Sequence, residues 1–143
     1  MKLVLDASMT LAWLFERQNT DEAQCADRAL LAIAERETYA PPLWHTEVAN
    51  GLLVGERRRV VTEAQVIDYL NRLSGLPIII DDAPTASRRD LVMALAREHS
   101  LTAYDATYLD LALRKDAVLA TFDTKLADAM RRAGGTIFSG TNS

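Results

Sequence analysis

A chain of 143 residues, 49% apolar and 25% charged, has the length of one domain and enough apolar content to bury a core without disulfides or a structural metal. Its net charge of −4 and pI near 5.1 argue against a general nucleic-acid binder. The single cysteine, Cys25, excludes an internal disulfide and fits a reducing compartment.

The opening stretch "MKLVLDAS" has too short an apolar run for a leader or a membrane span, so "KLVL" is read as a buried strand and the chain is expected in the cytoplasm. A helix over Asp21–Glu37, rich in Ala, Leu, Glu and Arg, follows with its N-cap near Thr20. "TYA" reads as a second strand, and Pro41-Pro42 sets an extended approach to a helix over Leu43–Arg58. "TEAQ" at 62–65 has the form of a capping box and opens a helix to about Ser74. "LPIII" is a third strand. The next helix starts near Pro84-Thr85, carries Leu91, Ala94 and Leu95 at helical spacing, and stops around Ser100. After a brief extended "LTAY", a helix spans Asp105–Lys115, and "AVLATF" is a fourth strand. Thr124–Ala133 is the last helix, closed by Gly134-Gly135 as a left-handed cap, before a fifth strand "TIF" and a frayed tail at 139–143. The strand runs are short and rich in β-branched and aromatic residues. Strands alternating with helices predict an α/β fold, a single domain over 1–143 with a parallel sheet of about five strands and helices on both faces.

Ligands of such sheets bind beyond the carboxyl ends of the strands. Asp6 directly follows "KLVL", Asp123 follows "AVLATF", and Asp105 opens a helix after "LTAY", so all three are expected at one sheet edge. Glu47 lies a turn inside a helix among Leu43, Trp44, Val48, Leu52 and Leu53, where a carboxylate needs a partner or a cation. Each aspartate taken singly also reads as the N-cap of the helix after it, and Glu47 as a helix-surface charge. It is the set, at one edge, that points to a site.

The ordered stretches "LDAS" (5–8), "EVANGL" (47–52), "YDATYLDLA" (104–112) and "TFDTKL" (121–126) resemble the PIN-domain ribonucleases, in particular the VapC-type toxins of toxin–antitoxin pairs. The resemblance spans almost the whole chain. It implies RNA as substrate, Mg2+ (or Mn2+) as cofactor, a cognate VapB-type antitoxin as partner, and a homodimer. By it, Asp6, Glu47, Asp105 and Asp123 match the acidic catalytic quartet, Ser8 and Thr121 the small hydroxyl positions, and Asn50 the polar position beyond the glutamate. Some relatives carry a further acid just after the fourth aspartate; here Thr124 stands there, which leaves open whether one metal ion binds or two.

Clustered carboxylates repel one another, and a divalent cation relieves the repulsion. Oxygen ligands alone, without thiol or imidazole, select Mg2+ or Mn2+ over Zn2+. Asp6 and Asp123 are expected as direct ligands, and Asp105 as a ligand directly or through water. Glu47 either ligates or orients the attacking water, while Ser8, Asn50 and Thr121 hold the carboxylates by hydrogen bonds. His45, two residues from Glu47 on a helix, points elsewhere, and His99 near a helix C-terminus suits the dipole.

Setting the four site acids aside leaves 16 acidic against 16 basic residues, so basic clusters can exist locally. Arg57, Arg58, Arg88 and Arg89 are the candidates for touching RNA, beside their reading as solvated surface. Trp44, Tyr104 and Tyr108 read first as core and second as base-stacking rings.

Two other functions compete. A receiver-type phospho-acceptor module also gathers aspartates around Mg2+, and Asp81-Asp82 follow "LPIII". A receiver, however, wants its acidic pair after the first strand and its single acceptor after a middle one, the reverse of this order. A PIN scaffold with a non-toxin RNA-processing role is the remaining alternative.

Overall fold

The computed structural model describes residues 1–139, so all but Ser139 of the expected frayed tail lies outside the described residues. The sheet is built around β1 (Lys2–Leu5), which pairs in parallel with β2 (Glu37–Ala40) on one side and β4 (Val118–Ala120) on the other. β3 (Ile78–Ile80) extends the sheet beyond β2, giving the order β3-β2-β1-β4. Leu3, Val4 and Leu5 are all fully buried. Side chains alternate along a strand, so β1 must be covered on both faces, as a parallel sheet between helices is.

The fifth expected strand, "TIF", is a stub. It forms a single parallel bridge between Leu119 and Ile137, with the Leu119 N–H donating to the Thr136 carbonyl (3.0 Å) and the Phe138 N–H to the Leu119 carbonyl (2.9 Å).

Most expected helices stand where periodicity put them: α3 (Leu43–Arg57), α4 (Glu63–Ser74), α5 (Thr85–His99) and α7 (Thr124–Arg132). The capping box of α4 forms, the Gln65 N–H donating to Thr62 Oγ1 (3.1 Å) and the Thr62 N–H to Gln65 Oε1 (2.9 Å). Past α7, Gly134 adopts a positive φ of 86°, which suits glycine. Other expectations need correction. α2 (Thr20–Ile33) starts from Asn19 as its cap and ends at Ile33, because Glu37 already pairs with Lys2 in the sheet. α6 (Ala103–Lys115) begins before Asp105, since the Thr102 side chain accepts from the Asp105 N–H (3.1 Å) and caps the helix. "LTAY" is therefore not extended throughout. A short α1 (Ala7–Leu11), not foreseen, follows Asp6 directly. On α5 only Val92 is buried, and Leu91 and Ala94 face solvent.

Gly51 and Gly55 let α1 and the turn after it lie against α3. A Cβ at residue 51 would stand 2.4 Å from Leu11 Cδ1, and one at residue 55 would stand 2.4 Å from the Phe15 ring. Behind α1, Thr10 ties three elements together. Its Oγ1 donates to the Asp6 carbonyl (2.8 Å) and accepts from Trp44 Nε1 (2.9 Å), while its carbonyl accepts from the Tyr69 hydroxyl (2.5 Å). These bonds fix the backbone immediately after β1.

Candidate active site

From β1 the chain moves outward through β2 to β3, then crosses to the other side of β1 for β4. The strand order thus reverses between β1 and β4, and an open α/β sheet leaves a crevice at the carboxyl ends of such a pair. Asp6 ends β1 and caps α1; Asp123 follows β4 and caps α7. The two N-cap readings and the site reading are therefore compatible, because each aspartate spends one oxygen on its helix. The Met9 N–H donates to Asp6 Oδ1 and the Leu126 N–H to Asp123 Oδ1, both at 2.9 Å.

Two hydroxyls join the strands. Ser8 Oγ donates to Asp6 Oδ1 (2.8 Å) and accepts from the Phe122 N–H (2.9 Å). Thr121 Oγ1 donates to Asp6 Oδ2 and accepts from the Asp123 N–H (2.9 Å). Asp6 is only 4% exposed. Burial pushes its carboxyl up to about 6; the bonds from Thr121, Met9 and Ser8 oppose this shift, and the Glu47 charge adds to it.

Glu47 is half-buried on α3, and the Tyr108 hydroxyl of α6 donates to its Oε1 (2.6 Å). Burial, then that bond and the Glu47 and Asp6 charges, hold the Tyr108 phenol far above its ordinary value, so it remains a donor. Asp105 lies a turn before Tyr108 on α6. Its carboxyl is raised by partial burial, then by the charges of Asp123 and Glu47. The acids are thus linked in series: Asp6 feels the Glu47 charge, and Asp105 feels those of Asp123 and Glu47.

Among the described residues, no three His, Cys, Asp or Glu side chains stand as a finished metal cage. The four acids nevertheless fit a hard divalent cation by their chemistry. They offer oxygen only, they repel one another, and two of them are held by hydroxyls from neighbouring elements.

Among the described residues, Asn50 and the candidate arginines make no bond to these acids. Asn50 is exposed on α3 and bonds to none of the carboxylates. Arg57 and Arg58 are exposed at the C-terminal end of α3, and Arg89 is exposed on α5. Arg88 is not a free cation: its Nη2 and Nε bond to the Asp110 carboxylate (2.6 and 3.1 Å). Arg114 bonds the same carboxylate (3.1 Å) and, through Nη2, Asp81 Oδ2 (2.7 Å). That network spans β3, α5 and α6. It commits the carboxylate of Asp81, which follows the strand two places from β1, to the Arg114 guanidinium. Trp44 and Tyr108 are core, at 3% and 1% exposure, whereas Tyr104 is 64% exposed. A cavity of about 570 Å3 opens beside Thr121, lined by Phe122, Arg131 and Phe138 among others.

Sequence reasoning missed the Tyr108–Glu47 bond. Its signal was present, since a glutamate on an apolar helix face demands a partner, but the partner is 61 residues away.

The family model of the PIN domain matches residues 3–131. A protein of Pyrobaculum aerophilum named Ribonuclease VapC3 is 32% identical over 128 residues, covering 90% of this chain and 94% of its own. Ribonuclease VapC1 of Mycobacterium tuberculosis is 33% identical over 99 residues, covering 68% of this chain and 71% of its own. The crystal structure of PAE2754 from Pyrobaculum aerophilum superposes with a TM-score of 0.68 at 26% identity, over 96% of this chain and 83% of that one. FitAcB from Neisseria gonorrhoeae shares the fold, with a TM-score of 0.58 at 20% identity over 96% and 97% of the two chains. The chain belongs to the PIN domain family, among the VapC-type ribonucleases.

Proposed function

We propose that this chain is an endoribonuclease that cleaves RNA phosphodiesters with Mg2+ or Mn2+ at Asp6, Glu47, Asp105 and Asp123. The observation that carries the reading is the link at the switch point: Thr121 bonds the Asp6 side chain and the Asp123 backbone at once. Relatives named Ribonuclease VapC support it.

Asp6, Asp123 and Asp105 would hold the cation, with Ser8 and Thr121 orienting Asp6 by hydrogen bonds. When bound, such a cation neutralises the carboxylates and acidifies water. Glu47 would join them as a ligand or orient the attacking water and take its proton. The water oxygen bonds to phosphorus as the ester P–O bond breaks, and the leaving oxygen takes up a proton. Arg57, Arg58 and Arg89, exposed and without ion pairs to the site, suit the RNA backbone.

In its biological setting the protein acts as a cytoplasmic toxin held inactive by a cognate VapB-type antitoxin, and it forms a homodimer. No helix among the described residues is long and apolar enough to cross a membrane. The exposed Leu91 and Met93 on α5 and Ile79 on the edge strand β3 suit a subunit contact.

The test is incubation of labelled single-stranded RNA with the protein in Mg2+, in Mn2+ and in excess EDTA. Cleavage in both metals and none in EDTA is expected. Undiminished cleavage in EDTA, or a stable acyl-phosphate formed from acetyl phosphate without any cleavage, would overturn the reading.

A further inference from the structure

We propose that Tyr108 is a positioning residue for Glu47, clamping Oε1 through its hydroxyl so that Oε2 is the oxygen presented to a cation. The inference rests on the assignment of Glu47 to the metal site.

Asp6 and Asp123 are held differently. Both oxygens of Asp6 accept from Ser8, Met9 and Thr121, and Asp123 accepts from the first turn of its own helix. Glu47 caps nothing, because it lies inside α3 and not at its start. Among the described residues the Tyr108 hydroxyl is its one hydrogen-bond partner, at 2.6 Å. A glutamate left to itself samples several rotamers and either carboxylate oxygen.

The holder is rigid. Tyr108 is 1% exposed within the core, and its ring has only two side-chain torsions. It also stands three residues after Asp105, on the same side of α6. The bond therefore spans from the helix bearing Asp105 to the helix bearing Glu47, setting the separation of those two acids. A binding site gains affinity when its ligands are held in place before the ligand arrives.

Calorimetric titration with Mn2+ tests the clamp on the parent, Tyr108→Phe, Glu47→Gln and the double variant. Tyr108→Phe keeps the ring and removes one oxygen. It is expected to weaken Mn2+ binding about 10-fold, while the double variant binds no more weakly than Glu47→Gln alone, since the hydroxyl acts only through the carboxylate. A purely structural tyrosine would lower the melting temperature and leave Mn2+ affinity unchanged. That result, or full additivity in the double variant, would overturn the proposal. A parent that binds no Mn2+ at all would overturn the site itself and the clamp with it. Should Tyr108→Phe fail to fold, the parent carrying 3-fluorotyrosine supplies the answer by 19F NMR, with resonances assigned through Tyr39→Phe, Tyr69→Phe and Tyr104→Phe. The Tyr108 signal is expected to move on Mg2+ addition while that of Tyr39 stays; an unmoved Tyr108 signal in a protein that binds Mg2+ would contradict the clamp.

Discussion

Thr121 Oγ1 donates a hydrogen bond to the Asp6 carboxylate and accepts one from the Asp123 N–H, so one hydroxyl spans the gap between β1 and the segment after β4. Valine has the same shape and neither function. Thr121→Val is expected to cost about 1–3 kcal/mol, the usual penalty for buried polar groups left unpaired, whereas Thr121→Ser should stay near the parent. Denaturant melts of the metal-free proteins measure this. Equal stability of the valine variant would mean that the hydroxyl is not what joins the two acids.

Asp6 makes metal-free stability depend on pH. Its folded carboxyl titrates near 6 against 3.8 unexposed to the fold, chiefly through burial and then, after the opposing hydrogen bonds, through Glu47. The folded state therefore holds a proton that the unfolded state has already released. Its contribution is fully present below the unfolded value, then lost as pH rises through about 6. That loss amounts to about 3 kcal/mol at roughly 1.4 kcal/mol per unit. Asp6→Asn keeps an oxygen for the Met9 N–H and removes the charge, so in EDTA its stability should be flatter between pH 4 and 7, ~3 kcal/mol being the span at stake. Melts across that range decide it. A parent that gains stability as pH rises would show that the hydrogen bonds outweigh burial.

The arginines separate into two behaviours. Arg57→Ala with Arg58→Ala should leave folding intact and lower the salt slope of single-stranded RNA binding by about 1.4. Arg88→Ala should instead lower the melting temperature, because Asp110, 5% exposed, loses the cation that grips both its oxygens. A salt slope unchanged by the first pair would return Arg57 and Arg58 to solvated surface.

What could be read from residues alone followed local rules. "KLVL" and "AVLATF" end in Asp6 and near Asp123 because buried strands are short apolar runs, and the order of strands then puts both at one edge. The T-x-x-Q capping box at Thr62 formed as written. The start of α6 was equally legible in "TAYD", whose Thr102 stands three residues before Asp105, but the β-like "LTAY" masked it. Contacts distant in sequence were not legible. Nothing near Arg88 announces Asp110, and the apolar helix face around Glu47 calls for a partner without pointing to Tyr108, since each pair joins two helices distant in sequence. Asn50, a position taken from resemblance, is exposed on α3, three residues after Glu47.

The most direct measurement is a Mn2+ titration followed by electron paramagnetic resonance on the parent and on Asp6→Asn, Glu47→Gln, Asp105→Asn and Asp123→Asn. If the four acids at the β1–β4 switch point form one cation site, the parent takes up Mn2+ and each variant binds it about 10-fold more weakly or worse. Variants that all bind as the parent does would place the metal elsewhere and leave Asp6 and Asp123 as helix caps.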